Sequence, residues 1–199
     1  MLPAIAAFVA LALLTHDDAV LLDIDRPIMR AVQSSHWPPY DWVLTHASDL
    51  GFAPLGFITY AVVLAGLYVA GRRFEAVMAV VSSALAGLVC DEVKQIVGRP
   101  RPSGAGIHVA AHLTDFGFPS GHVTHYVTLF GFAFYAVAIA WRHGPLRHLV
   151  LALLALLILL VGPSRVYLGE HWPSDVLGAY LFAGVWLAGT IQLYRLLRR

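Results

Sequence analysis

The sequence predicts an all-α integral membrane protein, a helical bundle of about six transmembrane helices with an N-terminal amphipathic, interfacial segment. Two observations predict this class. Only 13% of the 199 residues are charged and 59% are hydrophobic, with a mean hydropathy of +0.72, whereas soluble domains carry about 25% charged residues. In addition, several apolar stretches reach or approach the roughly 20 residues that a helix needs to cross a bilayer.

The predicted spans follow the apolar runs in chain order. Five runs qualify, the last with the help of its flanks: residues 52–70, 74–93, 123–141, 176–194 and 149–163. Residues 2–14 are short for a span, but no basic residue precedes them, which favours a retained first helix over a cleaved signal peptide. Short polar segments separate the runs, so residues 1–199 are expected to form one domain, with a core bundle at 52–197.

Residues 1–42 are expected to supply the first helix and the interfacial segment. Residues 19–33 mix apolar and charged side chains in the pattern of an amphipathic helix lying on the membrane surface. The stretch "HWPPYDW" at 36–42 then supplies aromatic rings for the headgroup layer, and its prolines are expected to exclude a helix there.

Charge excludes one class of partner and orients the chain. A net charge of +1 offers no basic field for nucleic acid. The single cysteine, Cys90, lies in an apolar run and is expected to be a small packed residue.

The basic residues of the loops indicate how the chain is oriented in the membrane. Successive loops alternate between the two sides, which gives seven basic residues on one side and six on the other. If Lys94, Arg101 and Arg165 are set aside for chemistry, the counts become seven and three. The positive-inside rule then predicts cytoplasmic termini and three polar clusters on the outer face of the plasma membrane.

These clusters are "DEVKQIVGRPRP" at 91–102, "FPSGHVTH" at 118–125 and "GPSRVYLGEHWPSD" at 162–175. Cations gathered at one place repel each other unless an anion lies among them, and the arginine fork suits phosphate. Ser120 is expected to cap the helix that follows, and Gly121 lets backbone N–H groups approach a ligand. The helix N-terminus at 120–122 is therefore predicted to bind phosphate.

The remaining polar residues indicate a reaction. Asp175, four residues after His171, is predicted to hold one imidazole tautomer and stabilise its cation, which leaves the other nitrogen to attack phosphorus. His122 would protonate the departing oxygen. Lys94, Arg101 and Arg165 would neutralise the oxygens of the transferring phosphoryl group.

Together the motifs Lys94-x6-Arg101-Pro102, Pro119-Ser120-Gly121-His122 and Ser164-Arg165-x5-His171-x3-Asp175 resemble those of the type 2 phosphatidic acid phosphatase family of membrane lipid phosphatases. The resemblance implies a metal-independent, cofactor-free enzyme that hydrolyses a lipid phosphate or diphosphate through a phosphohistidine on His171. It implies that His122 and Asp175 assist catalysis. It assigns substrate binding to five residues: Lys94, Arg101, Ser120, Gly121 and Arg165.

Several alternatives remain open at this point. A transporter or flippase for anionic lipids could use the same cations, although the charges at span ends and the lack of a visible repeat favour an enzyme. Lipid phosphotransfer shares the first chemical step. Two histidine pairs, His122 with His125 and His108 with His112, have the spacing of one helical turn and invite a zinc hypothesis, which no accompanying carboxylate or thiol motif supports. The second pair lies in the loop 103–118, which is predicted to form a rim over the substrate entrance.

Three further residues are expected to lie at the membrane interface or to contact a lipid headgroup. Arg99 is expected to be a headgroup contact or a simple interfacial charge, because family spacing selects Arg101. Trp172 and Tyr167 are expected to be aromatic residues of the membrane interface.

Overall fold

The computed structural model of the protein describes residues 1–15, 18–35 and 37–199, and all the regular secondary structure in these ranges is helical. The α-helices are α1 (Leu2–Leu14), α2 (Asp18–Gln33), α3 (Pro38–His46), α4 (Leu55–Val69), α5 (Arg73–Val97), α6 (Gly121–Ala140), α7 (Pro145–Tyr167) and α8 (Pro173–Leu197). A short 3-10 helix, Asp49–Gly51, joins α3 to α4.

Four of these helices, α5 to α8, are each long and apolar enough to cross a membrane. The bent pairs α1 with α2, and α3 with α4, also qualify as spans, which gives up to six. The predicted all-helical membrane bundle is confirmed. His36, at the start of the predicted aromatic segment, lies outside the described residues.

Helix α6 is the centre of the bundle and packs against α5, α7 and α8. It carries no Asp, Glu, Lys or Arg, as expected of a helix that others surround, and Val123, Leu129 and Phe132 are completely buried. The N-terminus of α6 therefore lies in the middle of one end of the bundle, enclosed by the ends of its neighbours.

Helix α1 packs along α8 in the opposite direction. The Gln192 amide lies 3.5 Å from the Met1 sulfur. Phe8 stacks on Phe118 and contacts Phe182, which lies nearer the start of α8 than Gln192 does. Met1 and the C-terminal part of α8 thus share the end of the bundle opposite the N-terminus of α6.

Helix α2 differs from the predicted surface helix. Leu21, Asp25 and Met29 recur every four residues on one face of α2 and are all buried, where the helix packs against α7 and α8. A carboxylate expected at the interface therefore lies inside the protein. The physical reason is a buried cationic partner, Arg99.

The prediction that prolines exclude a helix at 36–42 was wrong for its later part. Helix α3 begins at Pro38, because a proline in the first turn lacks only an N–H group that would have no helical partner. Proline does not end α7 either, which continues through Pro163 to Tyr167. The Tyr180 hydroxyl donates to the Ile158 carbonyl at 2.6 Å and accepts from the Gly162 N–H at 3.3 Å, which satisfies backbone groups beside the proline.

The segment between α5 and α6 covers the end of the bundle. Gly98 ends α5 in the left-handed region, at φ 66°. Backbone hydrogen bonds then tie Gly117 to Arg99 at 2.8 Å and Ala110 to Leu168 at 2.9 Å. The loop that carries His108 and His112 thus lies across the ends of α5 and α7.

Candidate active site

The ends of four helices bring the predicted site residues to one end of the bundle. Lys94 lies in the last turn of α5, and Arg165 lies in the last turn of α7. Ser120 is the residue before α6, whose first turn carries Gly121 and His122. His171 precedes α8, and Asp175 lies in the first turn of α8, which begins at Pro173.

The His171 imidazole has a defined protonation pattern. Its Nδ1 lies 2.8 Å from the Gly117 carbonyl. A carbonyl only accepts hydrogen bonds, so Nδ1 carries the proton and Nε2 keeps its lone pair. The Arg101 guanidinium donates to Nε2 at 3.2 Å. Burial, and then the charges of Arg101, Arg165 and Lys94, lower the pKa of His171 well below its ordinary value, which favours the neutral nucleophilic form.

The Asp175 carboxylate lies near the His171 imidazole but too far away to form a hydrogen bond with it. Its Oδ2 lies 3.7 Å from His171 Nδ1 and accepts a hydrogen bond from the Trp172 N–H at 2.9 Å. The Gly117 carbonyl, and not Asp175, therefore accepts the hydrogen bond from the Nδ1–H group. Asp175 is fully buried, so its charge acts on the imidazole across a poorly screened gap.

Lys94 and Arg101 share a partner that the sequence interpretation missed. Asp115 lies 2.5 Å from the Lys94 Nζ and accepts from the Arg101 guanidinium at 2.6 Å. Burial opposes its charge, but the hydrogen bonds and charges of Lys94 and Arg101 lower the pKa of Asp115 to about 2. Asp91, one turn before Lys94 in α5, is exposed.

Arg165 is completely buried beneath the same end of α6. It forms an ion pair with Glu170, donates to the Ser48 hydroxyl at 3.1 Å and lies over the Phe52 ring at 4.9 Å. Its Nε has no hydrogen-bond partner among the residues that the structure describes. The Nε–H group of this cation is thus left over by the part of the protein that the structure describes.

The start of α6 carries two more unsatisfied polar atoms. Ser120 takes the N-cap position, but its side chain makes no capping bond. Within the described part of the chain, neither the buried Ser120 hydroxyl nor the buried Nε2 of His122 has a hydrogen-bond partner. The His122 ring packs on Phe52 at 4.2 Å. A buried unsatisfied group costs about 1–3 kcal/mol, so such a cluster points to a ligand.

Arg99 and Trp172 were wrongly expected at the interface, because both are buried. The Trp172 indole donates to the Pro100 carbonyl at 3.3 Å.

Arg99 binds two buried carboxylates. It donates to Asp175 at 2.5 Å and to Asp25 at 2.8 Å. Burial opposes its charge, but these carboxylates outweigh burial and raise the pKa of Arg99. One sequence signal for Asp25 was its place between Leu21 and Met29 in the apolar stripe of α2.

Other candidate residues in the sequence, His125 and Cys90, do not take part in these contacts. His125 bonds to the Tyr60 hydroxyl at 2.9 Å. Cys90 is buried, as predicted for a small packed residue. Among residues 1–15, 18–35 and 37–199, no group of three or more His, Cys, Asp or Glu side chains is arranged to hold a metal ion.

Comparison with known proteins places the chain in a family. Residues 75–199, more than half of the chain, match the model of the PAP2 superfamily. The chain is 27% identical over 177 residues to phosphatidylglycerophosphatase B of Bacillus subtilis (strain 168), covering 87% of this chain and 84% of that protein. It is 35% identical over 109 residues to the putative undecaprenyl-diphosphatase YbjG of Escherichia coli (strain K12), covering 50% of each.

Solved structures show the same fold. The crystal structure of a transmembrane PAP2 type phosphatidylglycerolphosphate phosphatase from Bacillus subtilis superposes with a TM-score of 0.83 at 23% identity, covering 98% of this chain and 95% of that one. The structure of Aquifex aeolicus LpxE gives 0.66 at 21% identity, covering 85% and 95%. The protein therefore belongs to the PAP2 superfamily and is an integral-membrane lipid phosphatase of that family.

Proposed function

We propose that the protein hydrolyses the terminal phosphate of a lipid phosphate or diphosphate through a covalent phosphohistidine on His171, at the outer face of the membrane. The observation that carries this proposal is the His171 imidazole itself. Its Nδ1 proton is held by Gly117, and its Nε2 lone pair lies 3.2 Å from the Arg101 guanidinium. A neutral nucleophile beside a phosphate-binding cation is the arrangement that attack on phosphorus requires.

The first step transfers the phosphoryl group to the enzyme. His171 Nε2 forms a bond to the terminal phosphorus as the bond from that phosphorus to the oxygen of the leaving group, a lipid alcohol or a lipid phosphate, breaks. His122 gives its proton to that oxygen, and the negative charge of the bound phosphate favours the protonated form of His122 beforehand. Water then attacks the phosphohistidine, His122 accepts its proton, and phosphate leaves with His171 restored. Asp175 stabilises the cationic imidazole of the intermediate.

The phosphate oxygens are proposed to bind the polar atoms around the start of α6. Lys94, Arg101 and Arg165 supply positive charge, while Ser120 and the backbone at Gly121 supply donors at the helix N-terminus. The Ser120 hydroxyl and the Arg165 Nε, which find no hydrogen-bond partner within the described ranges, support this assignment. The position of Lys94 supports it as well, since its Nζ lies 3.8 Å from where a Cβ on Gly121 would stand.

Outer-face action is supported by the distribution of basic residues. At the end of the bundle opposite the site, Arg72 and Arg198 both lie near the buried Glu75, at 3.8 and 3.7 Å. Loops rich in arginine remain in the cytoplasm, so this end, with both termini, is proposed to be cytoplasmic. The substrate is proposed to resemble those named for the relatives, phosphatidylglycerol phosphate or undecaprenyl diphosphate.

The experiment is phosphate release by the purified protein in detergent with EDTA present. The substrate panel contains phosphatidic acid, phosphatidylglycerol phosphate, undecaprenyl diphosphate and a lipid A phosphate. We expect one substrate to lead clearly and His171→Ala to abolish turnover. Wild-type enzyme quenched with alkali during turnover should carry phosphate on His171, which is stable to base and labile to acid.

Three results would contradict the proposal. Near-normal phosphate release by His171→Ala would remove the nucleophile assignment. Loss of activity with EDTA and rescue by zinc would indicate metal chemistry. No release from any substrate by folded protein would favour lipid phosphotransfer or transport instead.

A further inference from the structure

A buried chain of charges links the N-terminal helix to the candidate nucleophile. Arg99 donates to the Asp175 Oδ1 at 2.5 Å and to the Asp25 Oδ2 at 2.8 Å. The other Asp175 oxygen faces the His171 Nδ1 at 3.7 Å. Asp25, Arg99 and Asp175 each have 1% or less of their surface exposed, so solvent screens these charges very little.

Asp25 also contacts the helix that carries Asp175. It accepts hydrogen bonds from the Ser174 N–H at 2.9 Å and from the Ser174 hydroxyl at 2.5 Å. Ser174 lies in the first turn of α8, where N–H groups have no helical partner and negative charge is favoured. The carboxylate thus has two contacts that fix it, one through Arg99 and one through α8.

The balance of charge gives Asp25 a role beyond packing. The Arg99 guanidinium offsets part of the negative field that Asp175 exerts at His171. Asp25, on the other side of the guanidinium, draws part of that positive charge away from Asp175. More of the Asp175 charge then acts on an imidazole that becomes cationic when it bonds to phosphorus.

We propose that Asp25 is a positioning residue of the phosphatase reaction, which acts through Arg99 to keep Asp175 oriented and negatively charged toward His171. The proposal rests on the phosphohistidine mechanism above. It assigns a functional residue to α2, outside the segment of 75–199 that matches the family model. It also gives Arg99 a role, holding the two carboxylates together.

The test compares Asp25→Asn with Asp23→Asn, a matched control at an exposed position of the same helix. Asparagine keeps an acceptor for the Ser174 N–H, removes the charge, and replaces the oxygen that accepts from Arg99 and from the Ser174 hydroxyl with an NH2 group. We expect Asp25→Asn to lower kcat and the single-turnover rate of phosphohistidine formation by about tenfold or more, with KM changed less than about twofold. Rates are expressed per active site, counted from the amplitude of phosphohistidine formation, so misfolded protein does not enter the result.

A double-mutant cycle tests whether Asp25 acts through Asp175. Adding Asp25→Asn to Asp175→Asn should cost less than about twofold, because the charge that Asp25 preserves is already gone. The inference is overturned if the two losses multiply, if Asp25→Asn equals Asp23→Asn in rate per site, or if it raises KM at constant kcat. A wild-type enzyme that forms no phosphohistidine would refute the mechanism of the proposed function instead.

Discussion

The Asp115 carboxylate lies 2.5 Å from the Lys94 Nζ, and its other oxygen lies 2.6 Å from the Arg101 guanidinium. A carboxylate of the protein therefore lies between two cations that the sequence predicts to bind phosphate. The Lys94 and Arg101 side chains are only 7% and 12% exposed, whereas Asp115 is 43% exposed on the loop before α6. Asp115 is thus the partner that can move when a phosphate arrives.

The first prediction concerns this competition. Asp115→Asn removes a negative charge that an incoming phosphate must displace, so we expect KM for the lipid phosphate and Ki for inorganic phosphate to fall about threefold to tenfold. Steady-state kinetics in mixed micelles measures both constants. Thr114→Ala, at the neighbouring exposed position, is the matched control and should leave both unchanged. A rise in KM for Asp115→Asn would mean that Asp115 orients the cations instead.

The second prediction concerns acid stability. Lys94 and Arg101 lower the pKa of Asp115 to about 2 from 3.8. A carboxyl group with a depressed folded-state pKa stabilises the protein above its unfolded pKa, and this contribution is lost as pH falls from about 4 to about 2. The thermal midpoint of the wild type should therefore fall more steeply across this window than that of Asp115→Asn. Parallel curves would show that the ion pairs contribute no net stability.

Local pattern and motif spacing predicted the membrane helices and the residues that meet at the end of the bundle. Asp25 and Asp115 were missed because their partners are 74 and 21 positions away in the chain, and no local pattern encodes such pairing. Trp172 was misplaced for a related reason. A tryptophan next to a polar turn is typical of a membrane interface, and only the packing of the loop at Pro100 over the end of α8 buries it.

The third prediction separates stability from binding at Ser120. Its hydroxyl is buried without a hydrogen-bond partner in the described chain, so Ser120→Ala should leave the thermal midpoint unchanged or raise it, and should raise KM. Ser164→Ala is the contrasting variant, because the Ser164 hydroxyl donates to the Leu44 carbonyl at 2.6 Å. That variant should lose about 1–3 kcal/mol of stability. A lower midpoint for Ser120→Ala with normal KM would assign Ser120 to structure alone.

The fourth prediction concerns the leaving group. If His122 protonates the departing oxygen, His122→Ala should slow release of a lipid alkoxide by about 100-fold or more. Release of an activated phenol from an aryl phosphate, which needs little protonation, should slow far less. The comparison uses kcat/KM for both substrates, with His112→Ala at an exposed position as the control. Equal losses on the two substrates would give His122 a role in binding rather than acid catalysis.

The last prediction concerns the side of the membrane on which the chemistry occurs. Cys90 is buried, with its Sγ 3.7 Å from the Pro119 carbonyl, and Cys90→Ala gives a background without cysteine. On that background Thr114→Cys lies beside Asp115 at the site, and Arg199→Cys marks the opposite end. With termini in the cytoplasm, a membrane-impermeant maleimide should label position 114 in intact spheroplasts and position 199 only after lysis. The reverse pattern would place the site in the cytoplasm, and the substrate would then be drawn from the inner leaflet.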